Sequence, residues 1–225
     1  MSSPSPTRPS FRRPPRTALA AALTAGTLSL GLVSAPAVAA DVDWEALRVV
    51  RETLLVESPL VATFVQTYVP AGFTSGEEES GRLLLGLPTC LRWDYEEPYD
   101  RSYLLCEQTV WAWSPDEPVG DRLTDVSRDE AGLDFLLLSV ERLSERYAVE
   151  SRTIDDTVHL ALTPHTDDAA FTRAWIVLDR ASARPNEIAY RDREGNETRF
   201  VLSDFAPLED ASQLAPPDTI DWIDG

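Results

Sequence analysis

Few residues of this chain could do covalent, redox or metal chemistry. It contains two cysteines, Cys90 and Cys106, both in the stretch TCLRWDYEEPYDRSYLLCEQ, and two histidines, His159 and His165. Each cysteine lies eight residues from Pro98, so a hairpin centred on EEPYD sets the two opposite one another across antiparallel strands. The N-terminus marks the chain for export, and an even cysteine count in an exported protein favours a disulfide. A cross-strand bridge is therefore expected. Two buried free thiols or a redox pair are the alternatives, the latter disfavoured because the spacing is not Cys-x-x-Cys. Two cysteines and two separated histidines make no metal site. His165 stands near Asp167 and Asp168, but there is no Gly-x-Ser-x-Gly elbow and no histidine in position to activate a nucleophile, so both histidines read as surface residues. Glu96-Glu97 and Asp155-Asp156 fall in turns, where solvated charge is the ordinary explanation, and a glycosidase would need its carboxylates across a cleft. The chain is read as a non-enzyme, with no catalytic residue, metal or cofactor.

Export rests on the first 39 residues. Arg8, Arg12, Arg13 and Arg16 precede any acidic residue, and TALAAALTAGTLSLGLVSAPAVAA follows as an apolar run ending in small side chains. This is the layout of a secretory signal. Cleavage is expected after Ala39, with Ala40 as the alternative, leaving 40–225 as a single exported domain. A retained anchor is disfavoured because Gly26, Gly31 and Pro36 interrupt the run. Arg12-Arg13 followed by Pro14-Pro15 leaves the choice between Sec and twin-arginine export open. All basic residues are arginines; without the leader's four, the 20 fall to 16 against 38 acidic residues. Such a charge repels nucleic acid and anionic lipid headgroups. Steering toward a basic partner is one reading of that charge, and compositional habit is the other.

The elements around the cysteines follow from periodicity. DVDWEALRVVRETLLVE repeats Trp44, Leu47, Val50 and Leu54 at helical spacing until Pro59 stops it. From there the period is two. LVATFVQTYVP, SGRLLLGL, CLRWDY, RSYLLCEQ and TVWAWSP read as successive strands, VGDRLTDVS as another, and DEAGLDFLLLSVERLSERY as one apolar helix. YAVESRTI, TVHLALTP, FTRAWIVLDR, NEIAYRD and ETRFVLSDF resume the strands, with a tail that finishes as an edge strand. About ten or eleven antiparallel strands and two or three helices result. Alternation puts Leu91, Trp93 and Tyr95 on the concave face and Cys90, Arg92 and Asp94 outside; Leu83, Leu85 and Leu87 also point inward, as do Leu160, Ile176, Tyr190 and Phe200 from later strands. A concave face lined this way has to be covered by the chain's own helices or by a ligand.

The order of short motifs carries further. Phe64-x-Gln66, Ser80-Gly81-x-Leu83, Pro88-x-x-Leu91-Arg92-Trp93-x-Tyr95-x-x-Pro98 and Val110-Trp111-x-Trp113-x-Pro115 come first. GLDFLLLSVERL, Tyr147-x-Val149, Leu160-x-Leu162-x-Pro164, Asp192-x-x-Gly195-Asn196-x-Thr198 and Pro216-Pro217 follow. This set, spanning Leu47 to Asp218, resembles the periplasmic outer-membrane lipoprotein carriers of the LolA type. The resemblance implies a mainly β fold with a helical lid: an unclosed antiparallel β-barrel whose concave face holds lipoprotein acyl chains between the inner and outer membranes. It implies Phe64, Leu91, Trp93 and Tyr95 as cavity wall, joined by the inward-facing Leu83, Leu85, Leu87, Leu160 and Ile176, with Leu133, Leu136 and Leu137 on the lid helix. It also implies acylated lipoproteins, an inner-membrane lipoprotein-releasing ABC transporter and an outer-membrane receptor as partners, with no cofactor. A monomer is expected. The family's arginine before the Pro of the third strand stands here as Leu87. Carriage or sensing of another lipid or acylated product on the same half-barrel is the alternative.

Overall fold

A computed structural model describes residues 40–126, 134–167 and 169–225. The leader, its cleavage point and Leu133 lie outside those residues. Helix α1 runs Ala40–Glu57 and buries Leu47, Val50 and Leu54, a stripe at three- and four-residue spacing. Each such burial contributes roughly 1.5–3 kcal/mol. Ser58-Pro59 ends the helix because Pro disfavours helical backbone in the residue before it and has no N–H to donate.

Six strands follow as a meander: β1 (Leu60–Val69), β2 (Glu77–Gly86), β3 (Cys90–Glu97), β4 (Arg101–Cys106), β5 (Thr109–Trp113) and β6 (Val119–Leu123). A second meander consists of β7 (Tyr147–Ile154), β8 (Thr157–Pro164), β9 (Phe171–Asp179), β10 (Arg184–Asp192) and β11 (Glu197–Pro207). Antiparallel pairing of β1 with β11 joins the two, and β12 (Asp221–Asp224) lies parallel on β6. The product is one 12-stranded open sheet with β12 and β7 at its edges. The twelfth strand is the tail, and its pairing is the one parallel register among the described strands.

The single helix expected between the meanders is two short ones among the described residues, α2 (Asp134–Leu137) and α3 (Val140–Arg146). Ser139 takes an extended conformation between them, and its hydroxyl accepts from the Arg142 N–H at 3.4 Å. A serine that caps the next helix competes with continuing the last. The apolar face survives the break, since Leu136, Leu137, Val140 and Leu143 are all buried. Helix α1 lies against β7, β9 and β10 and against α3, so the helices cover the concave side of the second meander.

The hairpin expectation holds in register. Cys90 pairs with Cys106 across β3 and β4, and the two are disulfide-bonded with Cα atoms 4.2 Å apart. Alternation placed this bridge on the outside of the sheet, but that outer face has a cover of its own. After β11 the chain crosses β2 and β3 as a short 3-10 helix, Ala211–Leu214, on its way to β12. Leu214 sits so close to Gly86 that a Cβ there would fall 2.7 Å from its Cδ1. Arg92 donates to the Gln213 carbonyl at 2.7 Å and to Asp94 at 2.7 Å, and lies over the Trp113 ring. Beneath this strap Leu84 and Leu104 are fully buried.

Candidate functional site

The strands leave a cavity of about 410 Å³ on the concave face, where the first meander curls toward β1, β10 and β11. That volume lies within the roughly 300–1,000 Å³ typical of small-molecule sites. Register places its lining. Leu91, Leu105, Val110 and Leu123 are successive cross-strand partners from β3 to β6, and Trp93 pairs with Tyr103 in the next row. Leu105, Val110, Leu123 and Trp93 form an apolar wall, with Val126 beyond β6. Gln66 on β1, Tyr95 on β3, Tyr190 on β10 and Thr198 on β11 supply the opposite, more polar side. A second cleft, about 400 Å³, lies between α1 and the β7–β9 edge; Glu45, Asp179 and Arg180 line it, which suits it less well to an apolar ligand.

Charge is kept off the walls of the first cavity. Among the described residues no Asp, Glu, Lys, Arg or His lines it. Arg101, the nearby cation, pairs with Glu79 at 2.7 Å and stacks 4.0 Å over the Tyr95 ring. That hydrogen bond to Glu79 holds the guanidinium above its usual value. The Tyr95 hydroxyl donates to Gln66 Oε1 at 2.6 Å, and Gln66 Nε2 reaches Glu79 at 3.4 Å. Burial pushes the Tyr95 hydroxyl far above its ordinary range, with Arg101 opposing that shift, so the phenol stays neutral. The arrangement can bind an uncharged, largely apolar ligand.

Of the side chains expected in the wall, Trp93 and Tyr95 line the cavity. Phe64 backs it, edge-on to Tyr95 with ring centroids 5.0 Å apart and 6.0 Å from Phe200. Leu83, Leu85, Leu87, Leu91, Leu160 and Ile176 share the concave face but are buried in the core cluster that also contains Leu136 and Leu137. Leu133, the remaining lid residue, falls outside the described residues. Gln66, Tyr103, Leu105, Val110 and Thr198 line the cavity without having been singled out as wall. A signal for two of them was present: the symmetry about Pro98 that pairs the cysteines also pairs Leu91 with Leu105 and Trp93 with Tyr103. His159 bonds Thr157 on β8 at 3.0 Å, and His165 lies exposed near the Ser144 carbonyl. Among the described residues no three His, Cys, Asp or Glu gather as a metal site.

The helical cover has its own fastening. Arg51 of α1 donates to the Leu137 carbonyl at the end of α2, at 3.2 Å, and Arg48 reaches Glu141 of α3 at 3.7 Å. Arg51 Nε is buried without a partner, and desolvation holds this guanidinium below its usual value against the pull of Glu141. Leu87, in place of the arginine that the resemblance led one to look for, is buried in the core.

Comparison with known proteins agrees with this architecture. Residues 58–213 match the family model described as outer membrane lipoprotein carrier protein LolA. An outer-membrane lipoprotein carrier protein of Chromobacterium violaceum is 29% identical over 217 residues, covering 90% of this chain and 96% of the relative. One from Pseudomonas putida is 27% identical over 207 residues, covering 91% and 92%. Among solved structures, an uncharacterized conserved protein from Thermus thermophilus superposes with a TM-score of 0.51 at 16% identity, over 80% of this chain and 98% of that one, a likeness of fold.

Proposed function

The chain belongs to the LolA family of outer membrane lipoprotein carrier proteins, and we propose that it holds the acyl chains of lipoproteins in the concave cavity and ferries them across the periplasm from the inner membrane to the outer. The observation that carries this reading is the uncharged, largely apolar cavity of about 410 Å³ on the half of the concave face that the helices leave uncovered. An acyl chain needs no catalysis or cofactor to bind there. Each methylene removed from water contributes roughly 0.8 kcal/mol, so one chain supplies ample affinity.

Release is the harder requirement. The leucines under α1, α2 and α3 are the surface that longer or additional acyl chains would need, so cover and cargo compete for it. In this chain the Arg51 bond to the Leu137 carbonyl fastens that cover. A closed form that satisfies its own core keeps net cargo affinity modest, which lets a receptor take the cargo over. Loading from an inner-membrane lipoprotein-releasing ABC transporter and delivery to an outer-membrane receptor complete the proposed cycle.

The test is to isolate the tagged chain from its own cells without detergent and analyse what accompanies it by mass spectrometry. Acylated proteins in stoichiometric amount are expected. Folded chain carrying none, from cells in which lipoproteins still leave the inner membrane, would contradict the role.

A further inference from the structure

The two walls of the cavity offer a ligand different things. Leu105, Val110 and Leu123 can only exclude water. Across from them Tyr190 and Thr198 are direct cross-strand partners on β10 and β11, and both face the cavity. Thr198 is only 8% exposed, yet its hydroxyl makes no hydrogen bond among the described residues, and neither does that of Tyr190. The Thr198 hydroxyl oxygen is not sealed off with the rest of its side chain; it opens into the cavity, where a ligand acceptor can meet it in place of water. Gln66 and Tyr95, by contrast, already satisfy one another.

The charge pattern narrows the ligand. The described lining carries no cation, and the nearby Arg101 is held by Glu79. A carboxylate entering this cavity would lose its water with no counter-charge to replace it. A carbonyl oxygen has lone pairs that two hydroxyls can meet and no charge to strand. On the reading that acyl chains occupy the cavity, we propose that the Thr198 and Tyr190 hydroxyls form a subsite for the carbonyl of the acyl linkage, and that the uncharged lining selects chains in ester or amide linkage over free fatty acids. The chain then lies along the apolar wall toward β6 and the linkage sits against β10 and β11.

Methyl palmitate and palmitate form the deciding pair, since they share a chain and differ in the charge of the head. The intact protein is titrated with each at neutral pH, below its aggregation concentration, and binding is followed by calorimetry. The ester is expected to bind at least tenfold more tightly than the acid, given the uncompensated carboxylate. Thr198→Val combined with Tyr190→Phe should lower ester affinity about tenfold, one modest hydrogen bond for each hydroxyl removed. Thr198→Val alone serves if the double variant melts early. Palmitate binding as tightly as the ester would overturn the selectivity, and unchanged ester affinity in the variants would overturn the subsite; in both cases occupancy of the cavity stands. Failure of the folded protein to bind either ligand would defeat the cavity reading itself, and this inference with it.

Discussion

The concave face has two halves built from the same kind of strand, and helices cover only one of them. On β8, β9 and β10, Leu160, Ile176, Leu178 and Ile188 are each about 1% exposed beneath the helices. On the β3–β6 side Tyr103 and Leu123 remain 37% and 43% exposed beside an open cavity. Alternation of apolar and polar residues is common to both halves, so it cannot distinguish core from site. What distinguishes them is cover: α1, α2 and α3 close one half, and no described element closes the other.

Substitutions can break or sharpen that contrast. The largest effect belongs to the filled half. Leu160→Ala and Ile176→Ala should each cost about 2–5 kcal/mol in urea unfolding, because a close-packed site leaves a void when truncated. A loss below about 1 kcal/mol at Leu160 would mean that this half is less filled than its burial indicates. Next comes the outer face. Reducing the Cys90–Cys106 bridge, which closes a loop of sequence separation 16, should cost about 3 kcal/mol of stability and leave lipid affinity unchanged; a change in affinity would tie the outer face to the cavity. In the open half, Tyr103→Glu should lower affinity for an acylated peptide at least tenfold through desolvation of the new charge. The melting temperature should scarcely move, because the site is exposed. Smallest is Arg51→Met, expected to loosen α2 by about 1 kcal/mol through loss of one hydrogen bond. Hydrogen exchange at the amides of α2 reads it, and unchanged protection would remove Arg51 as the fastening.

How much of this was legible in the sequence differs from element to element. The strands were readable nearly to their ends, because period-two alternation bounded by Gly and Pro is a local signal. The Cys90–Cys106 pairing came from counting outward from Pro98, and the same count would have yielded Tyr103 and Leu105. Thr198 was beyond that method: its place on the cavity depends on β1 joining β11, a contact between residues more than a hundred positions apart. The division of one apolar face into core and cavity was likewise unreadable, since Leu91 and Leu105 carry the same side chain on paired strands. The outer strap over the disulfide was hidden for a similar reason. Leu84, Leu104 and Trp113 break the expectation of a polar outer face, but only the path of the tail says what covers them. The break between α2 and α3 was marked by Ser139, a residue of high N-cap preference inside an apolar run.

The claim that the open half, and not the filled one, receives the cargo is tested most directly by photo-crosslinking in the living cell. A photoreactive amino acid is placed at Tyr103 in one strain and at Leu160 in another, and mass spectrometry identifies what each captures. The expected result is acylated lipoprotein joined at Tyr103 and none at Leu160. Capture at Leu160 alone, or an empty Tyr103 in a folded protein, would contradict it.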